Sequence, residues 1–153
     1  MKTLVILSDT HGNFDAINKL LGIINESDYL VHLGDRKSDI TAFSKEIRAR
    51  CVSVMGNCDG GGGEEIFEVE NLKILACHGH EYGVKYSLTK LYYRAKEVGA
   101  NVVLYGHTHI NKIENYNGIV FINPGCTAKY SQNTYCYAVV NGDKITSKIV
   151  NIY

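Results

Sequence analysis

The chain has no net charge: sixteen basic residues offset sixteen acidic ones over 153 residues. No global field therefore draws it to nucleic acid or to an acidic membrane, and any affinity for phosphate has to be built locally. Long apolar runs are missing as well. The stretch Met1 to Leu7 is too short for a signal peptide and leads directly into Ser8-Asp9-Thr10-His11-Gly12, and nothing approaches the ~20 apolar residues of a membrane-spanning helix. Paired cysteines are lacking too. Cys51, Cys58, Cys77, Cys126 and Cys136 are odd in number and contain no C-x-x-C spacing, which argues against a disulfide framework and against a structural zinc knuckle. These absences lead to the expectation of a soluble protein of a reducing, cytoplasmic compartment with no membrane partner. Length and a 45% hydrophobic content suit one compact domain over residues 1–153.

What is present is a recurring set of metal-capable side chains beside glycines and strand ends: Asp9, His11, Asp35, Asn57, His78, His107 and His109. Four of the six histidines belong to it. Asp9 and His11 follow Leu4-Val5-Ile6-Leu7, Asp35 follows Tyr29-Leu30-Val31, and Gly106-His107-Thr108-His109 follows Val102-Val103-Leu104-Tyr105. Such runs read as buried strands, so the polar groups gather at carboxyl ends, where open α/β sheets place ligands.

Along the chain, Asn13 is placed to cap a helix with Phe14, Ile17, Leu20, Leu21 and Ile24 on one stripe. A strand over 29–33, a helix near 38–49 with Ile40, Phe43 and Ile47 inward, and a strand over 51–55 complete a β-α-β-α-β order, which favours a parallel sheet. Gly60-Gly61-Gly62-Gly63 then breaks the regularity and serves either as a lid or as a plain connection. Strands over 66–69 and 72–77 lead to His78-Gly79-His80. Ser87 is placed to cap a helix bearing Leu88, Leu91, Tyr92, Ala95 and Val98 and closed by Gly99. After the strand over 102–105, hairpin strands over 112–116 with 119–122 and 135–140 with 144–152 turn at Asn117-Gly118 and Asn141-Gly142. The second half thus adds an antiparallel sheet, and two packed sheets with helices outside is the natural assembly.

Two divalent cations held close together need a shared oxygen ligand, and a carboxylate supplies two oxygens with formal charge; Asp9 or Asp35 can bridge. Imidazole, carboxylate and amide donors without thiolate point to manganese, iron, zinc, nickel or cobalt rather than calcium. Such a pair polarises phosphate oxygens and lowers the pKa of bound water, which suits phosphoester hydrolysis.

Asp9-x-His11, Gly34-Asp35, Gly56-Asn57-x-Asp59, His78-Gly79-His80 and Gly106-His107-Thr108-His109 together resemble the motifs of the calcineurin-like metallophosphoesterases. The short length, His78-Gly79-His80 and Asn123-Pro124-Gly125 more specifically resemble the small archaeal and bacterial YfcE-type phosphodiesterases. The resemblance runs in order from residue 8 to 125. It implies a four-layer α/β/β/α sandwich with two mixed β-sheets. Asp9, His11 and His109 would hold one metal, Asn57, His78 and His107 the other, and Asp35 would bridge them. The pair would be manganese or nickel, with iron, zinc or cobalt as further options. A hydroxide shared by the metals would attack phosphorus, with Asp35, Asn57 and His78 at the reacting centre.

Two positions depart from the pattern. Cys58 stands where many members carry a histidine that protonates the leaving group, and a thiol is a poorer acid there; diester hydrolysis is therefore expected over monoester hydrolysis. Cys126 follows Asn123-Pro124-Gly125 where serine is common. Among other residues, His32 reads as a buried structural or supporting histidine, Asp59 as a cap or an orienting group, and His80 either as an orienting or phosphate-touching group or as a structural one. Tyr82 and Tyr86 read as a substrate wall or an interface. The expected substrate is a small phosphodiester, and a homodimer is the default assembly. One competing reading is a non-catalytic scaffold, because the retromer scaffold subunit shares this fold; that subunit lacks several of the metal-binding histidines kept here. A nuclease acting on long nucleic acid would need a basic stripe that is absent.

Overall fold

The computed structural model describes residues 1–153. Strand β1 (Lys2–Leu7) pairs in parallel with β2 (Tyr29–His32), and β2 with β3 (Arg50–Ser53). Helix α1 (Phe14–Glu26) is the first crossover, and the short α2 (Ser38–Thr41) lies in the second. A second sheet begins with β4 (Glu64–Val69) and β5 (Leu72–Cys77) as an antiparallel hairpin. Helix α3 (Thr89–Val98) then leads to β6 (Val102–Leu104), which is followed by the hairpin of β7 (Lys112–Tyr116) and β8 (Ile119–Asn123). The chain returns to the first sheet as β9 (Thr134–Asn141) and β10 (Lys144–Asn151). The strand orders are β10-β9-β1-β2-β3 and β4-β5-β6-β8-β7.

The four layers follow from period-two side-chain alternation. Leu4 and Ile6 face a central core shared with Val31, Ile74, Ala76, Leu104 and Ile122, drawn from both sheets. Val5 and Leu7 face the other way, onto Ile17, Leu20 and Ile24 of α1. In the second sheet Leu75 and Cys77 turn outward onto Leu91 and Ala95 of α3. Strands buried on both faces explain why these runs read as continuously apolar.

Asn13 caps α1 as expected, its side chain accepting from Ala16 N at 3.3 Å, and Gly99 ends α3 at φ 73°. Several expectations need correction. The helix near 38–49 is regular only over Ser38–Thr41. Beyond it the chain proceeds by tight turns, and Asn25 pins the far end by donating to Glu46 O and accepting from Arg48 N, both at 2.8 Å. Ile40, Phe43 and Ile47 still point inward. Ser87 does not cap α3; Leu88 occupies that position without a side-chain cap. The second half is not a separate antiparallel sheet, because β5, β6 and β8 run parallel while β9 and β10 join the first sheet. Phe14 lies outside the stripe, half exposed. Of the two hairpin turns, Asn117-Gly118 forms as expected with both residues at positive φ, whereas the second loop is Gly142-Asp143, between paired Asn141 and Lys144. No helix is long and apolar enough to cross a membrane.

Candidate metal centre

The carboxyl ends of β1, β2, β3, β5 and β6 deliver Asp9, Asp35, Asn57, His78 and His107 to one end of the two sheets. The loops carry unusual backbone. Asp9, His11, Asp35, His107 and His109 all have positive φ, between 43° and 69°, a left-handed conformation that non-glycine residues adopt at a cost of ~1–3 kcal/mol each and that persists where surrounding structure enforces it. Here the enforcement is visible. Asp9 N–H donates to Gly34 O at 3.0 Å, Gly106 N–H to His78 O at 2.9 Å, and Thr127 N–H to Ser8 O at 3.2 Å. Two glycines permit the approach. A Cβ on Gly106 would lie 2.0 Å from Ser8 Oγ, and one on Gly56 would lie 2.2 Å from Asp35 Oδ1.

Asp9, His11, Asp35 and His109 offer donor atoms that all lie within 4.8 Å of one another. His109 Nε2 is 3.1 Å from Asp9 Oδ1, and His11 Nε2 is 3.7 Å from that oxygen and 3.6 Å from Asp35 Oδ2. His78 closes the group from the second sheet. Its Nδ1 lies 2.6 Å from Leu33 O; a carbonyl only accepts, so Nδ1 carries the proton and Nε2 presents a lone pair. That lone pair faces Asp35 Oδ2 at 3.4 Å, Asp9 Oδ1 at 3.9 Å and His107 Nδ1 at 3.2 Å. Lone pairs aimed at carboxylates repel unless a cation lies between them, and His11 Nε2 is buried with no hydrogen-bond partner. The donor set therefore fits divalent metal. Asn57 is the least engaged member: it is exposed on a three-residue turn over Asn57–Asp59, and its amide turns to Cys58 Sγ at 3.8 Å.

The carboxylates are tuned apart. Burial pushes Asp9 upward, against the hydroxyl of Ser8, which donates to it at 2.5 Å. Burial also acts on Asp35, but the Cys58 backbone N–H, 2.9 Å from its Oδ1, outweighs it and holds Asp35 below the usual range. His107 is pushed down to about 4, chiefly by burial, so at neutral pH it is a free base able to bind metal. Burial and the adjacent Asp35 raise the Cys58 thiol, which keeps it protonated and weakly acidic.

Supporting residues were only partly foreseen. His32 is buried, pushed down to about 4 by desolvation; it accepts Gly34 N–H at Nδ1 at 3.2 Å, and its Nε2 meets Thr10 Oγ1 at 3.0 Å. Thr10 in turn donates to Asp39 Oδ2 at 2.7 Å, and Gly12 N–H donates to the same oxygen at 2.6 Å. This buried chain fixes the loop that carries Asp9 and His11. Asp39 was missed in the sequence, where it reads as one more helix-start acid. Asp59 accepts Arg36 N–H at 2.8 Å and Gly56 N–H at 2.9 Å, stapling the Asp35 and Asn57 loops. Asn123 bonds Gly106 O and Thr108 Oγ1, and Cys126 donates from its thiol to Asp9 O at 3.4 Å. His80 leaves Nδ1 buried and unpartnered, its ring 5.5 Å from that of His78 and 6.0 Å from that of His107. The glycine run links the two sheets and is tethered where Gly63 N–H donates to Glu81 Oε1 at 2.6 Å. Tyr82 donates to Glu64.

Residues 1–144 match the calcineurin-like phosphoesterase superfamily domain. The chain belongs to that superfamily. It is 36% identical over 126 residues to the probable metallophosphoesterase YsnB of Bacillus subtilis, covering 80% of this chain and 73% of that one. It is 28% identical to phosphodiesterase MJ0936 of Methanocaldococcus jannaschii over 91% of this chain and 92% of that one. The structure of Vacuolar Protein Sorting 29 from Cryptosporidium parvum has the same fold, with a TM-score of 0.79 at 13% identity over 97% and 96% of the two chains.

Proposed function

We propose that the protein is a metal-dependent phosphodiesterase acting on a small phosphodiester, with Asp9, His11 and His109 around one divalent ion, Asn57, His78 and His107 around a second, and Asp35 between them. The observation that carries this reading is the lone pair of His78 Nε2, fixed by Leu33 O and aimed at two buried carboxylates. Superfamily membership supports the same chemistry, as does the relative named as a phosphodiesterase. Bound metals would supply positive charge for the phosphoryl oxygens and a lowered pKa for water, the source of the hydroxide nucleophile. The chain's own groups do the rest. Ser8 and the strained loops hold Asp9, Leu33 fixes the His78 tautomer, and Cys58 N–H keeps Asp35 ionised. Because Cys58 is a weak acid, diesters with good leaving groups are favoured over monoesters.

Manganese or nickel is the proposed pair, with iron, zinc and cobalt compatible with the same donors, and the proposed compartment is the cytoplasm. The fold shared with Vacuolar Protein Sorting 29 makes a non-catalytic scaffold the competing reading; the converging histidines favour the enzyme, and the absence of a basic stripe disfavours a nuclease. The test is to strip the protein of metal, reload it with each of these ions, and follow bis(p-nitrophenyl) phosphate beside p-nitrophenyl phosphate, with Asp35→Asn as control. Metal-dependent diester hydrolysis lost in the control is expected. Two bound metal equivalents with no turnover under any ion would overturn the enzymatic reading.

A further inference from the structure

The second sheet ends in an exposed strand. β7 is hydrogen-bonded on one side only, to β8. Val120 N–H of β8 donates to Asn101 O at 3.1 Å, and Ile122 O accepts Tyr105 N–H at 3.0 Å, so these two residues turn their backbone toward the β6 side. By the alternation of an antiparallel pair, Ile119, Phe121 and Asn123 then serve β7, where they meet Tyr116, Glu114 and Lys112. The N–H and C=O groups of Ile113 and Asn115 are left pointing outward. Both residues are exposed, and neither takes part in a backbone hydrogen bond outside the sheet.

Such an edge is a template for another strand unless proline, a bulge or like charge forbids it. β7 has no proline and pairs with β8 without a bulge. Charge separates it from the other edge strands, β3, β4 and β10. β4 carries Glu64, Glu65 and Glu68 with no basic residue, β10 carries Lys144 and Lys148 with no acidic one, and β3 carries Arg50 alone. Pairing any of these with its own copy brings no opposite charges together. β7 carries both signs, Lys112 and Glu114, on one face of the strand, with Nζ 3.4 Å from Oε1.

We propose that β7 is a docking edge for a second copy of this chain, and that two copies join their second sheets by antiparallel β7 to β7 pairing about a two-fold axis at Ile113. That register sets the outward N–H and C=O of Ile113 against those of the partner's Ile113. It also places Lys112 opposite the partner's Glu114, and Glu114 opposite the partner's Lys112, at the closer, non-hydrogen-bonded positions where cross-strand side chains interact most. A shift that centres the axis on Glu114 sets the two carboxylates face to face, so charge selects the register as well as the strand. Exposed apolar surface is covered at the same time: Ile113, 39% exposed, meets its symmetry mate, and Ile110, 62% exposed, lies opposite the partner's Tyr116. The contact is isologous and closes with two copies. A seam this short belongs with small, reversible interfaces. The inference is independent of the reaction assigned above.

The experiment is sedimentation velocity from low to high micromolar protein, where the native chain is expected to pass from monomer to dimer. Ile113→Pro removes the central outward N–H and leaves the β7 to β8 ladder intact, a change that an edge strand tolerates; it should give a monomer with native far-ultraviolet circular dichroism. Lys112→Glu sets like charges opposite each other twice by symmetry and should raise the dissociation constant by about tenfold. The double exchange Lys112→Glu with Glu114→Lys restores both opposite pairs and should recover most of that loss. If Ile113→Pro does not fold, the charge exchange decides alone. A native chain that stays monomeric throughout, a dimer that withstands Lys112→Glu or a folded Ile113→Pro, or a double exchange that associates no better than the single one would overturn the seam.

Discussion

At the residue scale, the chemistry depends on protons held in defined places. Cys58 is the clearest case, because a raised thiol pKa removes the acid that would assist an alkoxide leaving group. Replacing it should restore that acid: Cys58→His is expected to speed hydrolysis of a diester with an alkyl leaving group by ~10²-fold, the lower range of general acid catalysis. Bis(p-nitrophenyl) phosphate, whose leaving group needs no proton, should change little, and steady-state rates on the two esters check this. His32 gives a pH prediction. Its folded pKa of about 4 lies below the ordinary histidine value of 6.5, so the unfolded chain binds more protons between those values. Its contribution is fully present above pH 6.5 and is lost as pH falls toward 4, by about 3 kcal/mol in all. Urea unfolding across this window should show the loss, and the His32 ring should stay neutral by NMR down to about pH 4. The sequence made Asp9, His11, His107 and His109 legible, since each sits at the end of an apolar run. It did not show Asp39, whose role depends on Thr10 and Gly12 approaching from 27 to 29 positions away.

At the element scale, strands were far more legible than helices and caps. Both faces of β1, β5 and β6 are buried, so their composition is dictated by packing and reads directly from sequence. The segment over 42–49 keeps its inward apolar residues without a regular helix, because it is fixed at both ends by tertiary bonds, Asp39 at one and Asn25 at the other; spacing alone cannot distinguish that from a helix. Membership of β9 and β10 in the first sheet was also hidden, since local hairpin signals fix pairing within the hairpin and not its neighbour. Loop packing yields a sharp prediction. A Cβ at Gly56 would meet the Asp35 backbone N at 2.5 Å as well as Oδ1 at 2.2 Å, so Gly56→Ala must displace Asp35. Displacement of ~1 Å at a reacting centre costs about 100-fold in rate; turnover should fall by that order while the far-ultraviolet circular dichroism stays native.

At the scale of the whole molecule, two mixed sheets packed face to face bring loops of both to one end, and the carboxylates of Asp9 and Asp35 that gather there with His11 and His109 suit a bound cation. Metal should therefore stabilise the fold by mass action. Manganese at about 100 times its Kd contributes ~2.7 kcal/mol, a rise in Tm of ~5–10 °C for a chain of this size, and Asp35→Asn should abolish most of the rise in a thermal melt. Neutral net charge leaves this local centre as the main attraction for phosphate. The most direct test of the account is an anomalous-scattering map of manganese-loaded crystals. Two peaks ~3.5–4 Å apart, one among Asp9, His11 and His109, the other among Asn57, His78 and His107, with Asp35 between, are predicted. A single peak, or peaks away from His78 Nε2, would contradict the dinuclear centre.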